Sequence, residues 1–117
     1  MGQLTTHVLD TARGRPAAGL ALSLWRIAPS GERVLLTTTR TNADGRTSVP
    51  LLAGDAFTAG TYELVFEVGD YFAGHPDVSQ PPFLDQVPVR FTVADPAAHY
   101  HVPLLVSPWS YVTYRGS

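Results

Sequence analysis

The chain reads as an all-β protein, and three observations predict this. Short apolar segments recur between clusters of Gly, Pro, Asn, Asp and Ser, the spacing of a sandwich or barrel. Two of these segments alternate with period two: Tyr62, Leu64, Phe66 and Val68 against Glu63 and Glu67, then Val87, Val89, Phe91 and Val93 against Arg90 and Thr92. Ten prolines in 117 residues leave little room for long helices and suit sheet edges.

The elements follow in order. Leu4–Leu9 is the first strand, closed by the turn-rich stretch Asp10 to Pro16. Leu20–Ile27 is apolar on both parities, as in a strand buried on two sides. Pro29-Ser-Gly31 turns the chain into Val34–Thr39, and Asn42-Ala-Asp-Gly45 is a strong turn. A short edge piece is expected near Thr47–Val49, then the alternating strand Tyr62–Val68. Gly69–Gly74 has room for one helical turn, and Pro81-Pro82 enforces extended chain before Val87–Val93. His99–Val106 and Trp109–Arg115 are the last strands, joined tightly at Ser107-Pro108. With no linker, charge block or repeat, residues 1–117 are expected to form one domain.

Composition excludes several function classes. The net charge of −2 comes without a basic cluster, so no nucleic-acid footprint is visible. No apolar run approaches the ~20 residues of a spanning helix. The opening residues lack a basic region followed by an apolar one, so no secretory signal is expected. Cysteine is absent, which suits a reducing compartment and removes thiol chemistry. All eight cationic residues are Arg, so no lysine amine is available for a Schiff base. Phosphate loops, Gly-x-Ser-x-Gly elbows and paired-carboxylate motifs are missing.

The residues that remain for chemistry are few. In His99–Val106, Tyr100, Val102, Leu104 and Val106 make the apolar face, which leaves His99 and His101 on the other. In the first strand Leu4, Thr6 and Val8 share a face, with His7 opposite alongside Thr5 and Leu9. Both His7 and His101 thus point away from the better apolar face, toward an interface or a cleft. Each also has a plain structural reading, as a half-exposed strand residue. His99-x-His101 matches metal-ligand spacing, but no Cys and no clustered carboxylate supports a metal site. Arg46, just after the Asp44-Gly45 turn, is either a solvated turn residue or a clamp for anionic or carbonyl-rich substrates. His75, in a Gly-His-Pro-Asp loop, has no assigned role. The closing Tyr114-Arg115-Gly116-Ser117 follows a strong strand, so it is expected to sit somewhere specific.

Three blocks carry a resemblance: Leu4-Thr-Thr-His7-Val-Leu-Asp10 with Gly14-Arg-Pro-Ala-Ala-Gly19, then Thr41-Asn-Ala-Asp-Gly-Arg46, then His99 to Ser117. In order and over essentially the whole chain, the sequence resembles the transthyretin-like family, in its 5-hydroxyisourate hydrolase branch. The terminal Tyr-Arg-Gly-Ser is the most specific element, since the hormone-carrying transthyretins lack it. The resemblance implies a prealbumin-type β-sandwich of two four-stranded sheets with one short helix. It also implies a cytoplasmic homotetramer, with active sites at the dimer–dimer interface along a central channel. The implied reaction is hydrolysis of 5-hydroxyisourate between N1 and C6, giving 2-oxo-4-hydroxy-4-carboxy-5-ureidoimidazoline, without cofactor or metal. By position, His7, Arg46 and His101 match the catalytic set, and His7, Arg46, Thr113, Tyr114 and Ser117 match substrate-binding positions. Val112 stands where the family often has Ser. His99 lies outside the implied catalytic set. The competing expectations are a non-enzymatic channel that binds a small aromatic ligand, a generic β-sandwich interaction module, and a metal held by His7, His99 and His101.

Overall fold

A computed structural model describes residues 2–117. Among these residues nine strands make two sheets. They are β1 (Gln3–Asp10), β2 (Arg15–Pro16), β3 (Ala21–Ile27), β4 (Arg33–Arg40), β5 (Leu52–Ala53), β6 (Gly60–Glu67), β7 (Gln86–Val93), β8 (His99–Val106) and β9 (Tyr111–Thr113). A 3₁₀ turn spans Gly54–Ala56, and the one α-helical turn, α1, spans Val68–Tyr71. The first sheet runs β2-β1-β8-β9, with β5 also paired to β1; the second runs β4-β3-β6-β7. The β1–β8 pairing is parallel, and every other pairing among the described residues is antiparallel.

The expected all-β sandwich is what the chain forms, and period-two alternation decides which side chains meet in its core. Leu4 and Val8 of β1 and Leu104 and Val106 of β8 are fully buried, facing Tyr62, Leu64 and Phe66 of β6. Each such side chain contributes about 1.5–3 kcal/mol on leaving water. A corner is fastened by Asp10, whose carboxylate accepts from the amides of Ala12 and Arg13, from Arg13 Nη1 and from the Tyr71 hydroxyl. Burial alone would push that carboxyl up, but these donors outweigh it and hold it below the ordinary 3.8.

Four details differ from the sequence expectation. The first sheet has five strands rather than four, because two-residue β2 and β5 both pair along one edge of β1. The edge piece lies at Leu52–Ala53 rather than Thr47–Val49, since Leu51 N bonds Leu4 O and sets the register there. Strand β3 buries one face only, its other residues being half-buried. The last strand is shorter than Trp109–Arg115. Trp109 lies in the turn that Ser107 closes, its hydroxyl accepting from the amides of Trp109 and Ser110. At the other end, the β8–β9 register would next place Tyr114 opposite Pro103, which has no N–H to donate. Thr113 Oγ1 bonds Pro103 O instead, and pairing resumes only at His101 with Gly116. Among the described residues no helix is long and apolar enough to cross a membrane.

Candidate active site

The outward face of the first sheet holds the site. Parallel pairing sets Thr5 opposite His101 and His7 opposite Pro103. A strand spacing of ~4.8 Å and a two-residue rise of ~6.6 Å then put the Cα atoms of His7 and His101 roughly 8 Å apart on one face. The Asn42–Arg46 turn docks against the free edge of β1. Asn42 Oδ1 accepts from Asp44 N and Arg46 N, and Asn42 N donates to Arg46 O at 2.7 Å. Gly45 is needed at the contact: its φ is 76°, and a Cβ there would lie 2.3 Å from Val8 O. Val8 N bonds Gly45 O, and His7 forms an isolated bridge with Arg46. The motif Asn-Ala-Asp-Gly thus delivers Arg46 beside the histidine strand.

A cleft of about 330 Å³ opens on this face, lined by Thr5, Arg46, His99, His101 and Ser117 and walled by the Thr47–Pro50 segment. His101 is partly buried, and its Nδ1 lies 2.8 Å from Thr5 Oγ1; His99 Nε2 lies 2.9 Å from the same oxygen. His7 Nε2 donates to Asp44 O at 2.8 Å, which fixes its tautomer when neutral and leaves Nδ1 as the acceptor. Among the described residues the Arg46 guanidinium has no ion-pair partner, and the cleft lining carries no carboxylate side chain. Desolvation, then the charges of Arg46, His99 and His7, hold His101 below the ordinary 6.5. His101 is therefore a neutral imidazole at pH 7, able to accept a proton.

The tail divides. Gly116 N donates to His101 O at 2.7 Å, and a side chain at Gly116 would meet His101 Cδ2 at 2.6 Å. Only glycine lets the backbone cross the imidazole so closely, and Ser117 thereby reaches the cleft. Tyr114 and Thr113 instead line a separate depression of about 390 Å³ at the open edge between the sheets, with Phe91, Tyr100 and Val102. Arg115 stacks on Tyr100, 3.9 Å from the ring centroid, and its Nη2 donates to His99 O.

Of the residues singled out in the sequence, His101, Arg46 and Ser117 share the cleft, and His7 adjoins it through the Arg46 turn. Within one chain, Tyr114 and Thr113 lie apart from it. Among the described residues no three His, Cys, Asp or Glu side chains converge as metal ligands. The sequence reading missed Thr5 as a partner of both His99 and His101, and Gly116 as the residue that seats the tail. The signal for Thr5 was its shared parity with His7, which becomes a contact only once β1 and β8 are known to pair in parallel.

Fold and site together define a prealbumin-type β-sandwich with an imidazole–guanidinium cleft on one sheet face. Residues 4–116 match the HIUase/Transthyretin family, and the chain belongs to that family. It is 59% identical to the 5-hydroxyisourate hydrolase of Ralstonia nicotianae, over the full length of both chains. Among solved structures, the 5-hydroxyisourate hydrolase of Klebsiella pneumoniae is 36% identical with a TM-score of 0.81 and full coverage of both chains. The sea bream transthyretin–thyroxine complex is 30% identical with a TM-score of 0.86, covering 97% of this chain and 94% of that one. An (S)-allantoin synthase is 50% identical with a TM-score of 0.92, and this chain, 99% covered, spans 44% of its length.

Proposed function

We propose that this chain is a single-domain cytoplasmic 5-hydroxyisourate hydrolase. It opens the six-membered ring between N1 and C6, in a homotetramer with sites at the dimer–dimer interface. The full-length likeness to named hydrolases supports the substrate. The observation that carries the chemistry is a partly buried, neutral His101 beside Arg46 in a cleft lined by no carboxylate side chain.

The reaction uses only the chain's own groups. His101 Nε2 takes a proton from water as its oxygen forms a bond to C6. Arg46 stabilises the oxyanion, a contribution worth about 10²- to 10³-fold for one well-placed donor. When the C6–N1 bond breaks, the His101 imidazolium returns the proton to N1. His7, anchored on Asp44 O, orients the water or the ring. Ser117 bounds the cleft beside His101, and Tyr114 and Thr113 bind substrate once a neighbouring subunit completes the channel. The test is the decay of 5-hydroxyisourate made in situ from urate, against its spontaneous rate, with sedimentation of the same sample. A tetramer that accelerates the decay is expected. A folded tetramer without effect would favour a non-enzymatic ligand-binding role.

A further inference from the structure

We infer that Thr5 and His99 are positioning residues that set the tautomer of His101, and that protonation of His99 turns the base off. The inference rests on the hydrolytic reading above. It comes from one oxygen shared by two imidazoles: Thr5 Oγ1 lies 2.8 Å from His101 Nδ1 and 2.9 Å from His99 Nε2.

A hydroxyl has one proton to give and lone pairs to receive. When His99 is neutral and presents Nε2 as an acceptor, the Thr5 hydroxyl donates to it. The Thr5 oxygen then accepts from His101 Nδ1–H, and His101 presents its Nε2 lone pair to the cleft. This is the arrangement a general base needs. After Nε2 takes a proton, His101 keeps the same Nδ1–H bond to Thr5, so no hydrogen bond rearranges during turnover. When His99 is protonated, its Nε2 can only donate. The Thr5 hydroxyl then turns to His101 Nδ1 and drives the proton of His101 to Nε2, where the base should be. A charge on His99 therefore disables His101 without touching the substrate.

Facing the pair are His7 on β1, Arg46 on the docking turn and Ser117 of the tail, while Arg115 stacks on Tyr100 and reaches only the His99 carbonyl. No carboxylate side chain lines the cleft. Thr5 is held by its parallel register with His101, and its neighbour Thr6 is fastened to β8 through Val102 O at 2.7 Å.

Two readouts test this. Long-range ¹H–¹⁵N spectra of the substrate-free protein report which nitrogen of His101 carries the proton. Wild type at pH 7.5 (about one unit above an ordinary histidine) is expected to show Nδ1–H. Thr5→Val, nearly isosteric and β-branched, is expected to lose that preference, and Thr5→Ser to restore it. In turnover, Thr5→Val is expected to lower kcat about 10- to 100-fold with KM within about twofold, short of the 10²–10⁴ of losing the base. His99→Gln should also reduce the acid limb of the pH profile from two protons to one. An Nε2–H tautomer in wild type would overturn the inference, as would unchanged tautomer and kcat in Thr5→Val. So would an acid limb of the same order in wild type and His99→Gln. If wild type fails to turn over 5-hydroxyisourate while His101 still follows the Thr5 variants, the substrate reading fails and the relay stands.

Discussion

The two outward sheet faces treat charge in opposite ways. On the second sheet the buried Glu63 and its charged neighbours are answered by partners. Glu63 receives Arg90 at 2.9 Å and Arg33 at 3.5 Å, Arg33 lies 4.1 Å from the Trp25 ring centroid, and Glu67 accepts from Gln86 at 3.1 Å. On the first sheet Arg46, His7, His99 and His101 gather without a carboxylate side chain in the cleft lining. Neutralised charges on a β face hold structure. A guanidinium beside imidazoles, held by a backbone turn instead of a carboxylate side chain, is free to meet the oxygens of a ligand.

Variants on each face sharpen this contrast. The largest effect belongs to His101→Ala, expected to lower kcat about 10²- to 10⁴-fold with the far-UV CD spectrum and sedimentation behaviour as in wild type. Arg46→Gln follows, with a loss of about 10²- to 10³-fold in kcat/KM and a displaced pH profile. Burial first, and then the Arg46 charge, lowers the pKa of His101, so activity needs a proton removed below the ordinary 6.5. Without that guanidinium the His101 pKa rises, and the acid limb moves to higher pH. Gly116→Ala forces a shift where its Cβ would lie 2.6 Å from His101 Cδ2, and is expected to lower kcat about 10-fold with little change in Tm. Smallest for catalysis is Glu63→Gln, which removes the carboxylate answering Arg90 and Arg33. It should reduce stability by about 1 kcal/mol in denaturant unfolding and leave turnover as in wild type.

The same contrast marks what the sequence could show. Strand positions, and the face each side chain takes, were legible wherever apolar and polar residues alternate. His99–Val106 is the clearest case, and His7 and His101 were placed on the correct side by parity alone, whereas Tyr62–Val68 holds as a strand only to Glu67, Val68 opening α1. Arg46 was legible because Asn-Ala-Asp-Gly is a turn whatever surrounds it. Thr47–Val49 failed as a strand because short edge pairing answers to the exposed hydrogen-bonding groups of β1, which local propensity does not encode. The Thr5 bridge was hidden in the β1–β8 register, a contact across 94 and 96 residues. Gly116 had no role of its own in the sequence, and it is a steric requirement imposed by the imidazole it crosses.

The most direct measurement places wild type, His101→Ala and Glu63→Gln side by side in the 5-hydroxyisourate decay assay at pH 7.5, about one unit above an ordinary histidine. Acceleration is expected from wild type and Glu63→Gln, and a rate near the spontaneous one from a folded His101→Ala. Equal acceleration by all three would contradict this, and would move the chemistry away from the histidine face.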